Sequence, residues 1–361
     1  MRFPTNRGSL THRSLALLTA QLGTGLAFVS GVILLLALVA SRALPDGGAI
    51  GFLSSQDGNT DIYVLDIVRG TLHNVTDNGA VNGSFAFSPD GTRIAFESNK
   101  DGNTEIYMMN VECHSLFSVC GGIQQLTDNE TDSRHPVWSP DGRQIAYVYD
   151  VSHEDGDNEI YVMDVESGDI RNLTNNSADD NWPAWSLDGS QVTFVSDRDA
   201  NSEVYLSSGG DLQSFTTPGR IDACPSWSPT RPQVAFVSYG EGVPVIHVGD
   251  IAERHLIPVA TGANFVTCPV WSPDGNRIAF ASDHAAVSAL YVADIADGSL
   301  TQLVVSEGNW NGSPAWSSDA DWIIFATRQN NQSSIRSIDI QGKAVRSLAT
   351  VGRSSAPTWW P

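Results

Sequence analysis

One aromatic position recurs through the chain, at Phe87, Trp138, Trp185, Trp227, Trp271, Trp316 and Trp359, with spacings of 51, 47, 42, 44, 45 and 43 residues. Self-similarity on this scale restricts a chain to stacked or radially repeated units, so it says more about the fold than composition does. Pro stands two residues before six of these aromatics (Pro136, Pro183, Pro225, Pro269, Pro314 and Pro357). Ser-Pro-Asp-Gly follows the aromatic at 88–91, 139–142 and 272–275. That tetrapeptide suits a type I turn, with Pro preset at the second position and Gly at the fourth.

Three short β-rich runs complete each unit. Examples are Ile145-Ala146-Tyr147, then Glu159-Ile160-Tyr161-Val162 after a polar Asp/Gly/Asn turn, then Asn172-Leu173-Thr174. Four strands in a unit of roughly 40–50 residues describe a propeller blade. Residues 49–76 hold only the last three strands of a unit, and Ala356-Pro357-Thr358-Trp359 supplies only a first. The expected fold is therefore all-β: a seven-bladed β-propeller of four-stranded antiparallel blades over residues 49–361. The C-terminus provides the first strand of the closing blade. Six blades are the alternative, if the unit around Pro225 or Pro314 is misread.

The recurring Pro-x-Trp-Ser-Pro-Asp-Gly-x-x-Ile-Ala-Phe, followed by Glu-Ile-Tyr-Val-Met-Asp, resembles the TolB-type (WD-like) propeller repeat across about 49–361. It is also similar to the propellers of prolyl-oligopeptidase relatives and tricorn-like proteases. The resemblance implies an exported bacterial propeller that binds protein partners. TolB itself carries an α/β domain ahead of six blades, whereas here an apolar segment leads into seven units.

That segment runs from Ser14 to Ser41, 28 uncharged residues rich in Leu, Val and Ala. About 20 such residues suffice to span a bilayer as a helix. Arg2, Arg7 and Arg13 precede it, so the positive-inside rule predicts a cytoplasmic tail at 1–13, a signal anchor at 14–41 and a linker at 42–48. The propeller is then extracytoplasmic, on a single-pass membrane protein. The alternative is a signal peptide cleaved near Ala40 or Ala43, which leaves a secreted or periplasmic product. Of 20 basic and 41 acidic residues, four basic and no acidic ones lie before residue 46, so the remainder has a net charge of −25. Such an acidic body argues against nucleic acid as a partner.

Chemistry is harder to find. The chain has no Gly-x-Ser-x-Gly elbow and no His-Glu-x-x-His, and the repeats leave no room for a separate hydrolase domain. No cofactor is expected. The hairpin around Asp150, Asp155, Asp157 and Glu159 is the best candidate for a weak calcium site, although Asp-Gly and Asn also simply favour tight turns. Two disulfides are candidates in an exported chain: Cys113 with Cys120, which bracket an inserted loop, and Cys224 with Cys268, at equivalent places in adjacent blades.

The segments before each first strand emerge at one mouth of the central channel, where loops on a rigid frame commonly carry binding groups. They supply Asp132, Arg134, His135, Asp180, Trp182, Asp222, Phe265, Trp310, Asn311 and Arg353. The expected function is a membrane-anchored binding or scaffolding module of the cell envelope, with a protein or an envelope polymer as partner. The alternative is a propeller hydrolase or lyase that acts on an exported polymer through channel-lining residues.

Overall fold

The computed structural model describes residues 48–359 apart from 57, 113–117, 120–121, 152–156, 209, 217, 241, 262–263, 284–287, 306–308, 311–313, 330–331, 343 and 352–353. The expected tail and anchor (1–13 and 14–41), the linker up to residue 47 and both members of the Cys113–Cys120 pair lie outside the described residues. Among the described residues no helix is long and apolar enough to cross a membrane.

The repeat folds into seven antiparallel sheets, so the seven-bladed reading holds and the six-bladed one does not. The third blade shows the pattern: Ser133–Trp138, Gln144–Asp150, Asn158–Asp164 and Ile170–Asn172 follow one another across the sheet. Two blades carry a fifth short strand. In the second, the extended strand Glu105–Glu112 pairs with both Ser118–Val119 and Gln124–Gln125. In the seventh, Asn309–Trp310 and Ala315–Trp316 both pair with Trp322–Gln329.

The termini meet as the incomplete end units require. Ser354–Trp359 pairs antiparallel with Ala49–Ser54, aligning Ile50 with Trp359 and Ser54 with Ser354. This pairing completes the closing blade, so the Ala49–Ser54 strand is not left as an unpaired edge.

Each blade is a sandwich filling between its neighbours, which explains the unbroken apolar runs of the second strands. Ile145, Ala146, Tyr147 and Val148 are all buried, because both faces of that strand pack against other blades. Within a blade, the second-strand aromatic stacks on the third-strand Tyr: Phe96 on Tyr107 at 5.9 Å, Phe194 on Tyr205 at 5.9 Å and Phe280 on Tyr291 at 5.7 Å.

The recurring Trp has a polar role as well as a packing one. Nε1 of Trp138 donates to the Ala86 carbonyl at 3.1 Å, Trp185 to Val137 at 3.2 Å, Trp271 to Ser226 at 3.0 Å and Trp316 to Val270 at 2.9 Å. Each acceptor immediately precedes the aromatic of the preceding blade, so the indoles form a chain of blade-to-blade links. The Ser-Pro-Asp-Gly turns are self-contained. Gly91 N–H donates to Ser88 O at 2.8 Å with Gly91 at φ 68°, and Thr92 N–H reaches Asp90 at 3.0 Å. The Ser88 hydroxyl and then the Thr92 amide hold the Asp90 carboxyl below the usual range.

Candidate functional site

First strands of successive blades are neighbours, which places them around the central axis. Their pairing with the second strands slips by a residue in several blades, as between Ala146 and Val148, Asn181 and Ala184, and Ala223 and Ser226. At these bulges the residue three before the Trp has a positive φ: 53° at His135, 60° at Trp182 and 56° at Cys224. A bulge re-aims a side chain out of the alternating pattern. Non-glycine residues adopt such φ values only when their surroundings impose them.

The re-aimed side chains meet their counterparts in the next blade. His135 and Trp182 stack with centroids 6.2 Å apart and planes 11° apart. Cys224 and Cys268 are joined as a disulfide with Cα atoms 5.3 Å apart. Trp182 remains 48% exposed although it is a large aromatic, so it offers a flat face to solvent.

His135 is held from a third direction. Its backbone N–H donates to Glu97 Oε1 at 2.7 Å, across from the second blade. A Cβ at Gly83 would lie 2.2 Å from Glu97 Oε2, so a larger residue there would make the carboxylate shift. Beside this cluster, Asp132 accepts from the Thr104 amide at 2.8 Å and pairs with exposed Arg134.

The other predicted mouth residues separate from this cluster. Asp180 is wholly buried, bonded to Asn176 at 2.6 Å and to Arg198 of its own blade at 3.1 Å. Asp222, its counterpart, is 2% exposed. Phe265 is half-buried, its amide donating to Asp283 at 3.1 Å. Trp310 lies in its short strand opposite Thr327. Asn311 and Arg353 lie outside the described residues.

The candidate calcium hairpin is only partly described, since Asp155 is outside it. Glu159 turns into its own blade, where it accepts from Thr174 and, at 2.6 Å, from the Asn176 amide. Burial pushes its carboxyl above the usual range. Asp150 offers its carbonyl to Thr131, and among the described residues one buried oxygen of Asp157, Oδ1, has no hydrogen-bond partner. Among the described residues no group of three His, Cys, Asp or Glu side chains could hold a metal ion.

A family model described as the TolB beta propeller domain matches residues 36–120, 119–223 and 212–361. The chain belongs to that family. The TolB-type fold recurs among solved structures. TolB from Acinetobacter baumannii has 19% identity and a TM-score of 0.59, over 89% of this chain and 69% of that one. An oligogalacturonate lyase in complex with manganese has 14% identity and a TM-score of 0.61, over 83% of this chain and 85% of that one. A puromycin hydrolase S511A mutant has 13% identity and a TM-score of 0.68, over 89% of this chain but 55% of its own length. No curated protein matches the sequence.

Within this TolB-type ring the sequence singles out His135 and Trp182 as mouth residues, whereas Glu97, which accepts from the His135 amide, is not among them. The usable signal was alignment on the position three before each aromatic. It reads Ser84, His135, Trp182, Cys224, Cys268, Ser313 and Ala356 around the ring.

Proposed function

We propose that this propeller is a membrane-anchored, extracytoplasmic binding and scaffolding module of the cell envelope, and that its channel mouth grips a segment of a protein partner. The observation that carries this reading is the exposed Trp182 face stacked on His135. A large, rigid aromatic costs little conformational entropy on binding and typically anchors interfaces. The acidic body favours a partner segment with cationic side chains, which gain further from lying over an indole.

Support for the location comes from the uncharged stretch 14–41 behind three arginines, and support for a protein partner from membership of the TolB-type family. The test is a pull-down of the full chain from detergent-solubilised membranes, wild type against Trp182→Ala. A stoichiometric protein partner lost in the variant is the expected result. Recovery of the same partner at the same yield with Trp182→Ala would overturn the assignment to this mouth.

A further inference from the structure

The fourth blade (Asp180–Trp185, Gln191–Ser196, Glu203–Ser208 and Asp211–Ser214) and the fifth (Ile221–Trp227, Gln233–Tyr239, Pro244–Asp250 and Leu256–Thr261) present the same frame twice. They differ around one buried carboxylate. In the fourth, Asp180 is saturated by Asn176 and by Arg198. The Arg198 guanidinium lies 4.5 Å from the centroid of Tyr205 and 5.5 Å from that of Phe194.

Counted from each first-strand Trp, the corresponding residues of the fifth blade are Asp222, Pro218, Gly240, His247 and Phe236. Each change at a partner position removes something. Pro218 has no side-chain donor, Gly240 has no guanidinium, and His247 is shorter than the Tyr it replaces. The carboxylate, however, is retained and still buried. The Asp222 carboxyl takes hydrogen bonds from the Ser238 and Thr216 side chains, but among the described residues its Oδ1 has no partner, and neither has Nδ1 of His247.

A cavity of about 190 Å³ opens there, lined by Thr216, Arg220, Asp222, Phe236, Ser238 and His247 among others. One water centre needs only ~10–15 Å³. Burial pushes the Asp222 carboxyl above its usual range and the His247 imidazole below its own. The side chains of Ser238 and Thr216 and the charge of Arg220 offset part of the cost at Asp222, and its buried Oδ1 is what remains for a donor brought by a ligand.

We propose that this cavity binds a guanidinium group brought by a ligand, which takes the place that Arg198 fills in the neighbouring blade. The carboxylate of Asp222 accepts from the guanidinium, and Phe236 with His247, stacked at 5.6 Å, supplies the aromatic wall. Arg220 stands at the exposed rim, against Gly240. Its positive charge requires a ligand that also carries an acceptor or an anion, so arginine itself fits better than a bare guanidinium. The guanidinium comes either from free arginine or from an arginine within a peptide. This site does not depend on the channel-mouth reading.

The test is calorimetric titration of the full chain in detergent with L-arginine, with blocked N-acetyl-L-arginine amide, and with L-lysine. One saturable site for arginine is expected, with binding by lysine at least tenfold weaker. Blocked arginine binding as tightly as the free amino acid assigns a peptide source, and weaker binding a free one. Gly240→Arg, which copies the fourth blade, should abolish binding, while Gly240→Ala should retain it. Asp222→Asn should weaken it at least tenfold. Absence of arginine binding, equal binding of lysine, or undiminished binding to folded Gly240→Arg would each overturn the proposal.

Discussion

The indole of Trp182 lies 11° from parallel with the imidazole of His135, across the boundary between two blades. Both residues sit at bulges with positive φ, and neither ring belongs to the buried core. The arrangement therefore adds little to stability and is available for a ligand. Trp182→Ala should change the melting temperature by no more than a degree or two, because a half-exposed side chain contributes little on burial. Partner recovery should fall at least tenfold, which corresponds to about 1.4 kcal/mol. Calorimetric melting together with the pull-down checks both halves. A large loss of stability would instead make Trp182 part of the frame.

The ring was legible in the sequence because its signals are local. Ser88-Pro89-Asp90-Gly91 forms a turn from its own atoms, and the run Ile94-Ala95-Phe96 announces a strand buried on both faces. The incomplete first and last units announced that the two ends share a blade, in which Ile50 pairs with Trp359. The mouth was only half legible. Asp180 reads as an exposed loop acid but is wholly buried, since its partners Asn176 and Arg198 are recognisable only once the blades are superposed. Glu97 and His135 are 38 residues apart, and their contact passes through a backbone amide that carries no side-chain signature.

One blade-to-blade link departs from the pattern, and it gives a sharp test. Trp227 Nε1 donates to the hydroxyl of Thr193 at 3.0 Å rather than to a carbonyl. Thr193 in turn donates to Ala184 O at 3.2 Å, the carbonyl that the pattern requires. The hydroxyl is thus a relay. Thr193→Val keeps the shape but strands a donor and an acceptor, so it should cost about 1–3 kcal/mol. Urea unfolding would show a lower midpoint at an unchanged slope. Thr193→Ser should restore most of the loss.

The Cys224–Cys268 bridge ties the fifth and sixth blades across a sequence separation of 44. Cross-linking a loop of that length restricts the unfolded chain by up to about 4 kcal/mol in the chain-entropy model. Replacing both cysteines by Ser should lower the unfolding free energy by about 2–4 kcal/mol and leave the strand signature in circular dichroism unchanged. Identical unfolding of the wild type with and without a reductant would contradict this.

Asp283 links pH to the order of the loop beside Phe265. Partial burial alone would raise its pKa, but the amide of Asn264, its side chain and the amide of Phe265 all donate to the carboxylate and bring it down to about 2. A carboxyl depressed in the folded state stabilises the fold fully above its unfolded pKa near 3.8. That contribution fades as pH falls through the window from about 4 to about 2, where the folded-state group takes up its proton. Asp283→Asn should therefore melt below wild type at pH 7, with the gap closing as the pH approaches 2. Melting curves across that range decide the matter, and a gap that widens on acidification would refute the assignment.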